Sequence, residues 1–479
     1  MQRVDWSKWA LPIFLLLAVI IRWGTFFPSV INHDESTYFL IGKGLLEGQT
    51  YLVDSFDTKP LGIFLIYAAM SWLGGGSIFM LRLFTALIIG LTAYLIYRLG
   101  VKGNQDQRVG WAAGIGYLIL SSTFKYYGLS PNTELFFVPF AVGAVLLIWG
   151  DDRKWHHFLI AGTLLGLGFM VKYVIAADAF AIGAFLLWQG WRKKDLVTAI
   201  FWQCLPLTLA FFVPLALTYS YYASIDQLDA FLFYTFDVTS RYPVEASWGS
   251  RFLFTLEFFA RFFPFTLLAI FAYREHQAND RIWQGFLLFW MMCVLIITIL
   301  PGKTFGHYQI QLMPPLALLA GSWFYGNRTA QAWLRNIPNR WAWGTLATLV
   351  LGLSIALYSY YNGKVDDPRV VTEELQKRLA PGELVYTGNY HHITYHLLGQ
   401  ESLTPYVHSS LLYYDHHVAA LELDLEHEAQ QILDHNPRFA LLRTDHPHNQ
   451  LTDIIYENFT IIDTLLDKVW LLEKNEAYE

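Results

Sequence analysis

Long apolar runs, repeated through the first three quarters of the sequence, constrain the fold more than any other feature. Most are roughly 17–22 residues long, which is the length that crosses about 30 Å of hydrocarbon. Only 15% of the residues are charged, whereas soluble domains average about 25%. The sequence therefore predicts a polytopic α-helical membrane protein, with apolar segments near residues 10–27, 60–73, 80–99, 109–127, 131–150, 157–171, 174–189, 197–222, 252–273, 282–300, 307–325 and 341–361.

Charge divides the chain near residue 363. Residues 363–479 carry 8 Lys/Arg and 20 Asp/Glu, a net charge of −12, while residues 1–362 carry 25 and 19, a net charge of +6. No stretch after residue 361 is apolar enough to cross a bilayer. We therefore predict two domains, a transmembrane domain at 1–362 and a C-terminal domain at 363–479.

Basic residues between the apolar segments predict the topology, because Lys and Arg accumulate in short cytoplasmic loops. The N-terminus and the 98–108 loop are both basic, so an even number of crossings should separate them. The segment 60–73 is followed by three glycines and, at about 14 residues, is short for a span, so we predict a juxtamembrane or re-entrant helix there. This leaves about 11 transmembrane helices and places the C-terminal domain on the outer face of the cytoplasmic membrane.

The C-terminal domain alternates helical and strand patterns. Helices are predicted at 368–379, 415–435 and 449–458, and strands at 383–388, 439–443, 460–465 and 468–473. Such alternation is typical of a small α/β domain. Ten of the fifteen histidines of the chain lie here. A solvated acidic surface is the simpler interpretation of these histidines, and a zinc site built from distant ones is the alternative.

The predicted outer loops gather ionisable residues next to the membrane surface, where such residues are costly and often functional. Carboxylates among several cations suit a reaction on an anionic, lipid-linked substrate. The cations would hold phosphate, and a carboxylate would take a proton from an incoming hydroxyl or amine. The residues are Asp34, Glu35, Lys59, Glu134, Lys172, Arg241, Arg251, Lys303 and His307.

Four stretches resemble glycosyltransferase family 39 and its relatives in the GT-C superfamily, which include the protein O-mannosyltransferases and the lipid A aminoarabinose transferases. The acidic pair in INHDESTY (31–38) is followed by YLVDSFDTKPLGIF (51–64), GTLLGLGFMVK (162–172) and GHYQIQLMPPLALLAG (306–321). The chain has Leu61 where the family usually has a second proline after Lys-Pro. The resemblance covers about residues 1–325 and implies a GT-C fold.

The resemblance also implies roles for individual residues. Asp34 would be the general base that activates the acceptor, and Glu35 would orient it or help to position a substrate. Lys59 and Lys172 would bind the phosphate of a polyprenyl-phosphate sugar. The other expected substrate-binding residues are Glu134, Arg241, Lys303, His307 and Tyr308.

The implied enzyme is an inverting glycosyltransferase. The acceptor would be an envelope lipid, glycan or protein, and no partner is a nucleic acid. No cofactor is obligatory, and a divalent metal ion is optional, with its ligands unknown from the sequence.

Simpler interpretations and rival functions exist for these residues. Lys59 and Lys172 could be interfacial lysines that snorkel at helix ends. Glu134 could cap the N-terminus of the next helix, where acidic residues are favoured. A transporter or flippase is the main alternative function, but it predicts internal symmetry and ionisable residues near the bilayer midplane. An acyl or phosphoethanolamine transferase would show a nucleophile motif that the sequence lacks. The glycosyltransferase interpretation agrees best with charges gathered at one face.

Overall fold

The computed structural model describes residues 6–123, 128–241, 246–274, 281–325, 339–445 and 448–475, and these are mostly helical. Two compact units can be distinguished in the chain. The first consists of Met1–Phe26, Arg82–Ser220 and Val244–Tyr361, and the second of Phe27–Leu81, Tyr221–Pro243 and Asn362–Glu479. The second unit thus adds two earlier stretches to the residues of the predicted C-terminal domain, and the division at 362/363 stays a prediction.

The first unit holds most of the long apolar helices. Its helices are Ala10–Arg22, Ile78–Asn104 (from Arg82 onward), Gln107–Leu120, Thr133–Ile148, Trp155–Phe169, Ala176–Arg192, Leu205–Ser224 (to Ser220), Trp248–Arg261, Phe263–Arg274, Arg281–Ile299, Met313–Gly321 and Asn339–Asn362 (to Tyr361).

Six helices among the described residues are long and apolar enough to cross a membrane, or seven if one bent pair counts as a single span. They confirm that the chain is a helical membrane protein. The predicted total of about 11 crossings also needs shorter apolar helices, such as the 16-residue helix Thr133–Ile148. That total stays a prediction.

Glycines bring two helices of the first unit into backbone contact. A Cβ atom on Gly162 would lie 2.1 Å from the carbonyl oxygen of Leu207, and one on Gly166 would lie 2.2 Å from that of Phe211. Gly162 and Gly166 form a GxxxG pattern, which lets helices in a membrane approach closely because nothing projects from their contact face. The Gly-rich motif of residues 162–172 therefore fixes the helix that ends just before Lys172.

Two predicted straight spans are interrupted. The segment 252–273 forms two helices, Trp248–Arg261 and Phe263–Arg274, bent by 84°. Pro264 explains the bend, because proline lacks the N–H that would continue the helix and clashes with the preceding turn. The segment 307–325 begins as the 3-10 helix Gly306–Leu312, and the α-helix Met313–Gly321 starts with two prolines in its first turn, where proline is tolerated.

Among the described residues, the second unit contains ten α-helices, the short π-helix Phe233–Asp237 and one sheet. Its helices are His33–Leu46, Leu61–Gly74, Leu228–Leu232, Val238–Arg241, Asp367–Arg378, Ile393–Leu398, Ser410–Tyr413, Asp415–Leu421, Leu425–Asp434 and Gln450–Asn458 among the described residues. The strands are β1 (Val385–Tyr386), β2 (Phe439–Arg443), β3 (Phe459–Leu465) and β4 (Val469–Lys474), in the order β1-β2-β4-β3. In this sheet β1 and β2 pair in parallel, whereas β2 with β4 and β3 with β4 pair antiparallel. The small C-terminal sheet is confirmed.

One predicted C-terminal helix is wrong in its extent. The segment 415–435 is not continuous but divides into Asp415–Leu421 and Leu425–Asp434. Glu422 between them has a positive φ of 55°, which ends the first helix. The Asp424 side chain then accepts hydrogen bonds from the N–H groups of Glu426 and His427, so it caps the start of the second helix.

Candidate active site

The acidic pair of INHDESTY opens the helix His33–Leu46 in the second unit. Asn32 is the N-cap, and its side chain accepts a hydrogen bond from the Asp34 N–H at 3.1 Å. The Glu35 carboxylate accepts in return from the N–H groups of Ile31 and Asn32, which completes a capping box. Glu35 is buried, so the structure gives it a role in fixing the helix start. Its predicted role toward the substrate stays a prediction.

The Asp34 side chain is partly exposed and contacts His408, which belongs to the C-terminal part of the same unit. The distance from Asp34 Oδ1 to His408 Nε2 is 3.3 Å, and the Asp34 side chain is 22% exposed. An accessible carboxylate at the first turn of a helix is suitably placed to receive a proton from a bound acceptor.

Four imidazole rings surround this position. The His33 ring stacks on His391 with centroids 4.6 Å apart, and its centroid lies 5.2 Å from that of His392 and 6.1 Å from that of His408. Burial lowers the pKa of His391 to about 4. Burial together with the neighbouring imidazoles lowers the pKa values of His33 and His392 well below the ordinary value, so these three rings are neutral at neutral pH.

The interpretation of the C-terminal histidines as a solvated surface is therefore wrong for His392, which is 1% exposed. His392 Nε2 lies 2.8 Å from the Thr37 hydroxyl and 3.1 Å from the His33 carbonyl oxygen. Within the described ranges, no group of three or more His, Cys, Asp or Glu side chains is arranged to hold a metal ion. His33, His391 and His392 act here as packed, neutral side chains.

The loop that carries Lys59 is held by its neighbours in the second unit. Asp57 Oδ1 accepts hydrogen bonds from the N–H groups of Thr58 (2.6 Å) and Lys59 (3.1 Å). The Tyr51 hydroxyl lies 2.6 Å from the Lys59 carbonyl oxygen. The Lys59 side chain is 29% exposed, with its ammonium 3.9 Å from Asp57. Pro60 is the N-cap of the helix Leu61–Gly74, so Lys59 is fixed immediately before a helix N-terminus.

Arg241 ends the short helix Val238–Arg241 of the second unit. Its guanidinium pairs with the Glu422 carboxylate and lies 5.3 Å from the centroid of the Phe233 ring. Both charged side chains are exposed, and exposed pairs contribute little to stability. Arg241 is thus engaged with a C-terminal carboxylate in this structure, and its predicted contact with the substrate stays a prediction.

Four of the predicted residues meet in the first unit. Lys172 forms an ion pair with Glu134, and its ammonium lies 4.2 Å from the centroid of the Tyr308 ring. Glu134 is fully buried and Lys172 is 8% exposed. The His307 ring adjoins that of Tyr308, with centroids 4.9 Å apart. The Lys172 ammonium therefore points into the protein and does not snorkel to the interface. Glu134 lies in the first turn of its helix and is also paired with a specific cation, Lys172.

Lys303 and Arg251 lie elsewhere in the first unit, along a small recess that Thr255 and Gln309 also line. The Arg251 guanidinium donates to the carbonyl oxygens of Ala246 (2.8 Å), Ile299 (3.2 Å) and Leu300 (3.1 Å). These contacts give Arg251 a structural role at helix ends, because unsatisfied carbonyls there need donors.

One buried carboxylate of the first unit, Asp178, was not among the residues predicted from the sequence. Asp178 is 1% exposed and accepts hydrogen bonds from the indole N–H of Trp290 at 2.5 Å and from the Gln311 amide. An acid inside an apolar run is a signal that could have identified it. It lies in the first turn of the helix Ala176–Arg192, and its two donors satisfy the hydrogen-bonding capacity of both carboxyl oxygens inside the protein.

The sequence matches one known family and several curated relatives. Residues 58–217 match the model of the dolichyl-phosphate-mannose-protein mannosyltransferase family. An undecaprenyl phosphate-alpha-4-amino-4-deoxy-L-arabinose arabinosyl transferase of Pseudomonas fluorescens is 22% identical over 335 residues, which cover 66% of this chain and 59% of the relative. A relative of the same name from Sodalis glossinidius is 28% identical over 182 residues, covering 35% and 32%. The chain thus matches less than two thirds of the length of these relatives.

Solved structures share the fold over almost the whole chain. The crystal structure of ArnT from Cupriavidus metallidurans bound to undecaprenyl phosphate aligns with a TM-score of 0.70 and 13% identity, covering 98% of this chain and 99% of that one. The archaeal oligosaccharyltransferase AglB from Archaeoglobus fulgidus aligns with a TM-score of 0.54 and 14% identity, covering 99% and 77%. At such low identity the likeness shows the fold. Together with the family match over residues 58–217, it confirms the resemblance seen in the motifs.

Proposed function

We propose that this chain is an inverting membrane glycosyltransferase that transfers a sugar from a polyprenyl-phosphate donor to an envelope lipid, glycan or protein. The observation that carries the proposal is the placement of Asp34, a partly exposed carboxylate held at a helix start by a capping box. The names of the curated relatives and the undecaprenyl phosphate in the similar crystal structure support a polyprenyl-phosphate donor.

Asp34 would act first in the proposed reaction. It accepts the proton of the acceptor's hydroxyl or amine while that atom attacks the anomeric carbon of the sugar. The bond from this carbon to the phosphate oxygen breaks, and the polyprenyl phosphate leaves with the bonding electrons. Because attack and departure occur on opposite faces, the anomeric configuration inverts. Phosphate is a good leaving group, so positioning and charge stabilisation supply most of the acceleration.

Lys59 would hold the departing phosphate. Its backbone is fixed by Asp57 and Tyr51, and its ammonium is accessible just before a helix N-terminus, an end that itself favours anions. Further substrate contacts are proposed for Glu35, Arg241, Lys303 and the first-unit group of Glu134, Lys172, His307 and Tyr308. The reaction needs no cofactor, and a divalent metal ion is an optional addition.

The proposal includes a topology. About 11 helices would cross the cytoplasmic membrane, with the segment 60–73 as a juxtamembrane helix and the candidate site on the outer face. Residues 1–362 would form the transmembrane domain and residues 363–479 an extracytoplasmic domain. The observed helix Leu61–Gly74, with 14 residues and a glycine C-cap, supports a short element at this place.

Single cysteines at exposed positions test this topology in a chain whose own Cys204 and Cys293 are replaced by alanine. Val53→Cys and Gln430→Cys should react with a membrane-impermeant maleimide on spheroplasts, whereas Gln107→Cys should react only after lysis. All three positions are exposed, so accessibility within the protein does not limit the reaction. Labelling of position 107 on intact spheroplasts would overturn the proposed topology, which places the 98–108 loop on the cytoplasmic face.

Donor binding to purified protein in nanodiscs tests the function itself. Lys59→Ala should weaken binding of a polyprenyl-phosphate sugar by about 2–4 kcal/mol, the range for a charge-assisted contact at a low-dielectric surface. Lys59→Arg should recover only part of this loss, because the guanidinium presents its donors differently. With donor and acceptor together, the wild type should release polyprenyl phosphate and form an inverted product.

Lys43→Ala is the matched control for Lys59. Lys43 forms an exposed i,i+4 pair with Glu47 at 3.3 Å in the same unit, and such pairs contribute only a few tenths of a kcal/mol. Its removal should leave donor affinity unchanged. If Lys59→Ala also binds the donor within twofold of the wild type, Lys59 does not contact the phosphate. If the wild type releases no polyprenyl phosphate with any sugar donor, the proposed function is wrong.

A further inference from the structure

We infer that His408 is a positioning residue that holds the Asp34 carboxylate for proton transfer through its Nε2–H. The inference rests on the proposed function, because it assigns Asp34 the part of general base. It adds a residue far along the chain that neither the motifs nor the matched region at 58–217 include.

The surroundings of His408 fix the tautomer of its ring. The backbone N–H of Ser410 points at His408 Nδ1 at 3.3 Å, and the Ser410 hydroxyl lies 2.6 Å from the same atom. A backbone N–H can only donate, so Nδ1 is the acceptor and carries no proton. In a neutral ring the proton is then on Nε2, and this N–H faces Asp34 Oδ1 at 3.3 Å.

The backbone around His408 is anchored as well. The Pro405 carbonyl oxygen accepts a hydrogen bond from the Phe56 N–H at 2.8 Å. The Phe56 ring stacks on those of Tyr406 and Tyr234, with centroids 5.3 and 5.0 Å away, and the two tyrosine hydroxyls lie 3.2 Å apart. Phe56 lies three residues before Lys59. The segment 405–410 therefore reaches from the Lys59 loop to Asp34 and fixes His408 relative to both.

A neutral donor suits a carboxylate that must accept a proton. A cation at hydrogen-bond distance would favour the charged form of Asp34 strongly and weaken it as a base, whereas a neutral N–H orients the carboxylate at a smaller cost in basicity. The rings of His33, His391 and His392 beside His408 are neutral. Arg443 is the cation that acts on His33, and it is paired with Asp445 at 2.8 Å.

Other charged groups also face this cluster. Asp366, Asp367 and Lys468 act on His391, and Lys468 pairs with Asp367 at 2.9 Å. Ion pairs of their own thus partly balance the charges around the imidazoles. His408 forms a directed hydrogen bond with the Asp34 carboxylate.

Turnover and pH profiles of the purified protein in nanodiscs test the inference. His408→Ala should lower kcat about 10- to 100-fold, the effect of one hydrogen bond to a charged group, while KM for the donor stays within about twofold. The acid limb of the profile of kcat/KM should move to higher pH, because losing a donor to the carboxylate raises the pKa of Asp34. His408→Gln, whose amide N–H can replace Nε2–H, should restore part of kcat. The acid limb of its kcat/KM profile should lie closer to the wild-type pH than that of His408→Ala.

His427→Ala is the matched control, since His427 is exposed on the helix Leu425–Asp434 and should keep full activity. If Asp34→Asn is inactive while His408→Ala keeps the turnover and the pH profile of the wild type, the inference is wrong and the proposed function stands. If Asp34→Asn keeps its activity, Asp34 is not the base, and both the inference and this part of the proposed function are wrong. If His408→Ala does not fold, the His408→Gln variant tests the inference in its place. A His408→Gln variant whose kcat falls 100-fold or more, with the acid limb of its kcat/KM profile at the wild-type pH, overturns the inference.

Discussion

Asp34→Asn is expected to leave the protein folded and to remove nearly all sugar transfer. The amide has almost the same shape as the carboxylate but cannot accept the acceptor's proton, and loss of a general base typically costs about 10²–10⁴-fold in rate. The capping box at the helix start uses the Asn32 and Glu35 side chains and the Asp34 backbone N–H, so the substitution leaves it intact. Release of polyprenyl phosphate by the purified variant measures the effect.

Asp415→Asn is the control for the same chemical change. Asp415 lies exposed in the first turn of another helix of the second unit, where loss of its charge should cost the helix only about 0.3–1 kcal/mol. This variant should retain full turnover. An Asp34→Asn variant that keeps more than a tenth of the wild-type rate would remove Asp34 from the role of base.

Breaking the Glu134–Lys172 pair is expected to produce the largest loss of stability in the first unit. Both side chains are buried, and removing one partner leaves the other charge uncompensated away from water. Such a loss typically costs about 3–5 kcal/mol, so Glu134→Leu and Lys172→Met should each lower the free energy of unfolding by that order. Thermal or denaturant unfolding in one detergent, with wild type and variants side by side, measures the effect.

The double variant Glu134→Leu with Lys172→Met separates stability from substrate binding. It removes both charges and replaces them with apolar side chains of comparable size, a change that is often neutral or stabilising. The double variant should therefore recover most of the stability that either single variant loses, which shows as a coupling energy. If Lys172 also binds phosphate, turnover stays low after stability returns. Single variants within 1 kcal/mol of the wild type would contradict the buried-pair interpretation.

Local sequence signals predicted the parts of the fold that depend on local physics. The strand Phe439–Arg443 and the helix Gln450–Asn458 agree with the predicted 439–443 and 449–458, because hydrophobic period and turn residues specify them. The helix predicted at 60–73 is present but begins one residue later, at Leu61, with Pro60 as its N-cap. Two signals were available but overlooked. Asn32 with Glu35 matches a capping box, and Asp424 matches a helix N-cap.

Contacts between distant stretches could not be predicted from one sequence. Lys172 and Glu134 were both recognised as candidate residues, but nothing in their spacing of 38 positions says that they pair with each other. The contact of His408 with Asp34 depends on how the C-terminal helices fold back within the second unit. Burial decides the protonation of His33 and His392, and burial is a property of the folded chain.

The wide separation of the stretches in the second unit bears on how the protein is made. Asp34 and His408 are 374 residues apart, and the unit takes its residues from three places along the chain, the last beginning at Asn362. Contacts across such separations form late, because the ends of a long loop must first be brought together. On the proposed topology, the acidic pair is exported long before His408 is synthesised. If the proposed function is right, Asp34 is held by His408 only after translation has passed residue 408. Shorter nascent chains in the membrane would then transfer little lipid-linked sugar.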